Sequence, residues 1–179
     1  MSLVRRVFEV VEGRSVPVAL IGGVALAAHG IVRATKDADL LATDIGLLDK
    51  TVWRPLEAES VTVSINRGDA EDPLAGVVRF RRDPETPVDL VLGRERWLDG
   101  VLARRQPVEL SGEPLQVVTA ADLVLLKLDA GGPIDLIDAR LLLSGPDGRR
   151  LRKIIAASSL ELPRRLQEPL KKLLSAERL

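Results

Sequence analysis

The sequence has no cysteine, no tyrosine and a single histidine among its 179 residues. Without cysteine the chain has no disulfide, no thiolate nucleophile and no cysteine-based zinc site. One histidine, His29, excludes metal sites built from several histidines and leaves little room for a Ser-His-Asp triad. Aromatic residues make up 2% of the chain, which argues against the stacking platforms that bind single-stranded nucleic acid. Any metal chemistry must therefore use carboxylate oxygens, the ligands of Mg²⁺, Mn²⁺ and Ca²⁺.

Long apolar runs are also missing. No stretch approaches the roughly 18 apolar residues of a membrane-spanning helix, and the N-terminus lacks the layout of a signal peptide. With 46% hydrophobic and 29% charged residues, the composition is that of an ordinary globular domain. We expect a cytoplasmic protein without membrane contact.

The chain has no net charge, because 26 basic residues balance 26 acidic ones. The balance is uneven along the chain. Residues 1–148 hold 17 basic and 23 acidic side chains, whereas residues 149–179 hold nine and three. The segment 149–179 also has apolar residues at helical spacing. This pattern fits packed helices with a charged outer face, and it also fits a surface that binds RNA phosphates.

Hydrophobic periodicity predicts an α/β (α+β) protein, with a small mixed sheet flanked by helices and a helical C-terminal part. We expect an α/β core over 1–118 and a helical region over 119–179 that packs on it. Predicted helices cover 2–13, 22–30, 45–59, 94–105 and the chain after 119, with breaks at 131–133, 145–148 and 163. Pro55 should kink the helix over 45–59 or end its first part. Predicted strands cover 16–21, 37–42, 61–65, 76–81, 88–92, 108–110 and 115–118.

Three aspartates stand out in the predicted strands. Side chains alternate along a strand, so Asp37 and Asp39 would project from one face. Two adjacent carboxylates repel each other, and a divalent cation would remove that cost. Asp89 lies within an otherwise apolar strand, where an unpaired ionised carboxylate is costly, so it is either a metal ligand or a buried acid with a backbone or arginine partner. Three acids on neighbouring strands suit paired Mg²⁺ ions for phosphoryl displacement, although a solvated edge strand or a helix cap explains Asp37 and Asp39 as well.

Gly22 and Gly23 stand where a strand passes into a helix. Glycine lets a backbone approach a ligand closely, and N–H groups at a helix start attract phosphate. A tight turn that needs positive φ explains the pair equally well. The surrounding sequence matches neither the P-loop nor the Rossmann pattern.

These residues together carry a family resemblance. Gly22-Gly23, followed after 13 residues by Asp37-Ala38-Asp39, resembles the signature of the DNA polymerase β-like nucleotidyltransferase superfamily. Asp89 lies where that superfamily has its third metal-binding acid. The segment 120–138 resembles the downstream block of AbiEii-type nucleotidyltransferases, a bacterial group that includes toxin–antitoxin toxins. The resemblance covers roughly residues 16–143.

The resemblance implies a nucleotidyltransferase that uses Mg²⁺ or Mn²⁺ and an NTP substrate. Asp37, Asp39 and Asp89 would bind the metal and act in catalysis, while Gly22 and Gly23 would hold the triphosphate. The further nucleotide-binding positions would be Arg33, Thr35, Lys36 and Lys127. An RNA, a protein or a small molecule would accept the nucleotide, and a toxin would also have an antitoxin partner.

Two departures favour an alternative function. Family members often have Ala-Gly-Arg-Pro-Lys-Asp before the later acid, where this chain has Gly132 and Ile134 at the two basic positions. Arg33 and Lys36 could compensate, or they could be solvent-facing loop charges. With fewer cations facing the triphosphate, the chain could be a degenerate, non-catalytic module that binds a nucleotide or a partner protein.

Four further polar residues lie in predicted helices. Lys127, in an apolar helix, either extends its amine to water or reaches a polar cleft. Asp135 and Asp138 share a helix face, where a helix-capping role is the simple interpretation. His29 at the end of an alanine-rich helix is interpreted as structural.

Overall fold

The computed structural model describes residues 1–158 and 162–175. Leu160 and positions 176–179 of the predicted helical tail lie outside the described residues. The helices are α1 (Leu3–Glu12), α2 (Gly22–Ala28), α3 (Arg54–Glu57), α4 (Trp97–Ala103), α5 (Ala120–Ala130), α6 (Pro133–Ser144), α7 (Gly148–Ser158) and α8 (Arg164–Ser175). The strands are β1 (Ala19–Ile21), β2 (Ala38–Ala42), β3 (Thr62–Arg67), β4 (Leu74–Arg81), β5 (Val88–Gly93), β6 (Gln106–Leu110) and β7 (Glu113–Val117).

The strands form one seven-stranded mixed sheet in the order β3-β4-β5-β2-β1-β7-β6. The β2–β5 and β1–β7 pairs are parallel, and the other neighbours are antiparallel. The sheet and its helices confirm the predicted α/β class. This order places β2 and β5, which carry the predicted acids, next to each other at the centre.

One face of the central strands belongs to the hydrophobic core. Leu20, Leu40, Leu90 and Val78 are register partners across β1, β2, β5 and β4, and all are fully buried. Along the same face, Phe80 meets the Trp53 ring edge-on, with ring centroids 4.7 Å apart. Because side chains alternate, the residues between these belong to the opposite face.

The helix predicted over 45–59 is wrong before Pro55, whereas the expected interruption at Pro55 is present, because Pro55 lies in the first turn of a new helix. The chain forms two 3₁₀ segments, Ile45–Leu48 and Lys50–Trp53, before the short helix α3. The side chains of Asp44 and Asp49 accept the backbone N–H groups of Gly46 and Thr51, so the chain starts a new turn twice. The helix predicted over 94–105 is also shorter, since α4 covers only its central part.

The C-terminal helices begin and end close to the predicted breaks. Thr119 caps α5 by accepting the N–H of Asp122, and Gly131 ends the helix at φ 65°. α5 packs against α2, α6, α7 and α8. No helix in the described ranges is sufficiently long and apolar to cross a bilayer.

Helices α7 and α8 have one apolar face and one basic face. The apolar residues that contact the core are Leu151, Ile155, Leu166, Leu170 and Leu173. Packing therefore accounts for much of the apolar stripe, although Ile154 is 41% exposed.

Candidate functional site

A row of four residues crosses the centre of the sheet on the face opposite the buried leucines. Arg79 on β4 pairs in register with Asp89 on β5, Asp89 pairs with Asp39 on β2, and Asp39 pairs with Ile21 on β1. Register partners present their side chains to the same face, with Cα atoms about 5 Å apart. The fold thus brings Asp39 and Asp89 side by side, as the sequence predicted.

Gly22 lies against the Asp39 carboxylate. Its backbone has φ 62°, in the left-handed region that favours glycine, and a Cβ atom there would be 2.0 Å from Asp39 Oδ2. A Cβ on Gly23 would lie 2.9 Å from the Thr35 Cβ. The two glycines therefore allow the turn into α2 to approach Asp39 and the loop that precedes β2.

Asp37 lies just before β2, which begins one residue later than predicted. The Thr35 hydroxyl donates to the main-chain oxygen of Asp37 at 2.9 Å and lies 3.4 Å from its Oδ1. Gly22, Gly23, Thr35, Asp37 and Asp39 thus form one continuous group around the start of α2.

Negative charge is disfavoured at Asp39. Burial, together with the nearby charges of Asp37 and Asp89, raises the pKa of Asp39 to about 6, while Lys127 and Arg33 act in the opposite direction. Within residues 1–158 and 162–175, neither Asp37 nor Asp39 forms an ion pair. A cation placed beside them would relieve the repulsion that raises this pKa.

Asp89 is different, because Arg79 binds both of its oxygens. Arg79 Nε donates to Oδ1 at 2.7 Å, and Nη2 donates to Oδ2. The sequence allowed a metal ligand or a buried acid with a backbone or arginine partner, and the structure shows the arginine pair. Arg79 was missed as a site residue, although it lies on the predicted strand 76–81 and strand alternation was the signal that could have found it.

Lys127 is buried on α5 and faces two acids of α6. Its Nζ lies 2.7 Å from Asp135 Oδ1 and 3.0 Å from Asp138 Oδ2. Burial by itself would lower the pKa of Lys127, but these acids more than offset it, so the pKa is raised. Lys127 therefore reaches a polar group and does not extend to water.

Asp135 and Asp138 do not cap α6. The N-cap residue is Gly132, without a side-chain cap. Arg33 joins the group through its Nε, 3.4 Å from Asp138 Oδ2, whereas Lys36 is exposed in the loop. The acids hold Lys127 and Arg33 close to the acidic row.

His29 has a structural contact, as interpreted from sequence. Its Nε2 lies 2.8 Å from the carbonyl oxygen of Val118 and so links the end of α2 to the segment after β7.

The three predicted metal ligands fit a cation only in part. Among the described residues, no group of three or more His, Asp or Glu side chains is arranged to hold a metal ion. Asp37 and Asp39 fit, since they are adjacent acids without a cationic partner in the described ranges. Asp89 does not fit while both of its oxygens bind Arg79.

Comparisons with known proteins identify the class of fold. No protein-family model matches the sequence, and neither does any curated protein. Solved structures do match, and they show that the chain has the nucleotidyltransferase fold.

Two proteins illustrate this likeness. The crystal structure of ANT(2'')-Ia in complex with adenylyl-2''-tobramycin has a TM-score of 0.56 at 14% identity, over 89% of this chain and 96% of that one. The solution structure of the same antibiotic-resistance factor gives 0.54 at 14%, over 89% and 90%. A protein assigned as a nucleotidyltransferase from Thermotoga maritima gives 0.53 at 14%, over 87% and 91%. The AbiEii-type group stays a prediction.

Proposed function

We propose that this protein is a nucleotidyltransferase that moves a nucleoside monophosphate from an NTP to an acceptor. One observation carries the proposal: Asp39 and Asp89 are register partners on parallel strands, with the Gly22 backbone against Asp39, within the nucleotidyltransferase fold. The contact at Gly22 ties the glycine turn and the acids into one site.

In the proposed reaction, the acceptor oxygen bonds to the α-phosphorus, and the bond from that phosphorus to the bridging oxygen of the β-phosphate breaks. Pyrophosphate leaves, and the acceptor proton passes to a carboxylate of the site, for which Asp89 is the candidate. A bound Mg²⁺ or Mn²⁺ would neutralise charge on the phosphates. Asp37 and Asp39 would hold this cation, and Asp89 would join them once it is free of Arg79.

The other residues would bind and orient the NTP. Gly22, which is partly exposed, leaves room beside Asp39 where a triphosphate would lie, and the buried Gly23 would let α2 start close to Thr35. Lys127 and Arg33 would supply positive charge from one side of the acids, and Thr35 would hold the loop in place. The protein would act by alignment and charge neutralisation, with little covalent chemistry of its own.

Metal-dependent NTP binding tests this proposal. Calorimetry with each NTP and Mg²⁺ should show binding by the wild type and none by Asp37→Ala/Asp39→Ala. The matched control is Asp69→Ala/Glu71→Ala, which removes two exposed loop carboxylates and should bind like the wild type. The proposal fails if the wild type shows no binding that depends on the metal.

Transfer of a labelled nucleotide from the NTP would identify the acceptor of the reaction. Wild-type protein with α-labelled NTP, Mg²⁺ and a cell extract should label one fraction: RNA, protein or small molecule. Exposed basic residues on α7 and α8 support RNA, and they include Arg149, Arg150, Lys153, Arg164, Lys171 and Lys172. The toxin role and the antitoxin partner stay predictions.

A second candidate is the non-catalytic module that binds a nucleotide or a protein partner. The Arg79–Asp89 pair favours it, because an acid of the proposed site is already neutralised. So does the absence of basic side chains at Gly132 and Ile134. This candidate predicts NTP binding that is unchanged by removal of Mg²⁺, and no labelled product.

A further inference from the structure

The contact between Arg79 and Asp89 joins two residues of the central row. They are direct partners in the antiparallel β4–β5 ladder, and the guanidinium meets the carboxylate through two nitrogens. This fork-on-carboxylate arrangement is among the stronger ion pairs in proteins. It occupies the oxygens that a metal ion would need.

The two partners differ in their access to solvent. Asp89 is 7% exposed, held in β5 between the buried Val88 and Leu90. The Arg79 side chain is 41% exposed. Asp89 is therefore fixed in the sheet, whereas the guanidinium has a path to water along its flexible stem.

We propose that Arg79 is an internal counter-ion that competes with a divalent cation for Asp89. This inference rests on the proposed function, because it concerns the metal of the same site. Arginine remains charged at any pH a protein tolerates, so Arg79 can release Asp89 only by moving away. Metal binding at the complete acidic site is then coupled to displacement of the Arg79 side chain. The affinity of the site for the metal is lower than its carboxylates alone would give.

The test measures Mn²⁺ binding to the full chain without NTP, by calorimetry and by electron paramagnetic resonance. Arg79→Met removes the charge and keeps most of the stem. Arg81→Met is the matched control, since it removes the same charge from an exposed position two residues away on β4. Asp89→Asn in the Arg79→Met background tests whether any gain passes through Asp89.

Arg79→Met should bind Mn²⁺ about tenfold more tightly than the wild type, because the metal no longer has to displace a charge-assisted contact made through two nitrogens. Arg81→Met should match the wild type, and Arg79→Met/Asp89→Asn should lose the gain. Mn²⁺ should also raise the melting temperature of Arg79→Met by more than that of the wild type. The inference is overturned if Arg79→Met binds no more tightly than Arg81→Met.

Arg79→Lys covers the case in which Arg79→Met does not fold, as judged by circular dichroism. It keeps the charge but loses the two-nitrogen contact, so it should bind Mn²⁺ more tightly than the wild type, and equal affinity refutes the inference. If Mn²⁺ binds with the same measurable affinity to all folded variants, this inference is refuted and the proposed metal site is not. Absence of Mn²⁺ binding in the wild type and every variant removes both the inference and the proposed metal site.

Discussion

Ionisation of Asp39 costs the folded protein free energy. The pKa of Asp39 is raised from an ordinary 3.8 to about 6, by burial first and then by Asp37 and Asp89. Between these values the folded state binds more protons than the unfolded state at this residue. The contribution of Asp39 to stability therefore falls as pH rises from about 4 to about 6.

Asp39→Asn should accordingly stabilise the protein at neutral pH. We expect the free energy of unfolding in urea to rise by about 1–2 kcal/mol at pH 7, after allowance for partial solvent screening. The gain should vanish near pH 4 and below, where Asp39 approaches protonation in both states. Glu71→Gln, an exposed carboxylate-to-amide change, should have little effect at either pH. An equal effect of Asp39→Asn at both pH values would contradict the assigned cause.

Gly22 offers a second test at the residue scale. Gly22→Ala places a methyl group where Asp39 lies, in a backbone conformation that alanine disfavours. Gly30→Ala is the matched control, because Gly30 also has a positive φ of 85° but has open space around it.

Both glycine variants should lose roughly 1 kcal/mol of stability to backbone strain. Gly22→Ala should lose more, and it alone should weaken Mg²⁺-dependent NTP binding, because the carboxylate must move. Urea denaturation and calorimetry measure the two effects. If the two variants lose the same free energy of unfolding, the contact between Gly22 and Asp39 does not contribute to the effect.

At the scale of elements, Lys127 couples α5 to α6. Its amine is buried and faces Asp135 and Asp138, and Asp138 is 1% exposed. Removal of one partner from a buried ion pair leaves an uncompensated charge, which is much more costly than loss of an exposed pair.

Lys127→Met should therefore lower the free energy of unfolding by about 3 kcal/mol. Lys171→Met, which breaks an exposed pair with Glu168 on α8, should cost less than about 1 kcal/mol. Adding Asp138→Asn to Lys127→Met should recover part of the loss, since it removes a buried acid whose remaining ion pair is the longer one with Arg33, at 3.4 Å. The interpretation fails if the two lysine variants have similar stability in urea.

The elements themselves were predictable where local pattern governs them. Thr119, three residues before Asp122, predicts the start of α5, and Gly131-Gly132-Pro133 predicts its end. The segment 45–59 was not predictable in this way, since Asp44 and Asp49 compete for backbone N–H groups and interrupt the helix.

At the scale of the whole molecule, the helical region after residue 118 shares a core with the sheet. Leu123 and Val124 of α5 are buried in the same cluster as Leu20 and Val117. Arg165 on α8 bonds at 2.6 Å to Glu95 and to Asp129. These contacts lie between the described helices of 119–158 and 162–175 and the rest of the chain, and the boundary at 118 stays a prediction.

A chain of residues 1–118 should therefore lack a cooperative unfolding transition, because it exposes the core surface that α5 covers. Removal of 162–179 alone should keep a cooperative transition with a lower midpoint, since the sheet and α5 remain. Urea titration followed by circular dichroism measures both. A cooperative transition in the 1–118 chain would show that the helical region is a separate unit.

Acidic and basic residues are distributed unevenly along the chain. The acidic majority lies in 1–148, the segment that contains the proposed metal site, and the basic excess lies in 149–179. In α7 and α8 the apolar side chains pack inward and most of the basic ones face outward. The neutral total thus conceals two segments of opposite net charge.

Features that depend on neighbours along the chain could be predicted: most of the strand and helix pattern, the glycine pair and the spacing of Asp37 and Asp39. Contacts across strands and helices depend on the fold. Arg79 meets Asp89 because β4 and β5 pair in one register, and Lys127 meets Asp138 because α5 packs on α6. Packing of the whole core sets those registers, and so the counter-ions of the candidate site became visible only in the fold.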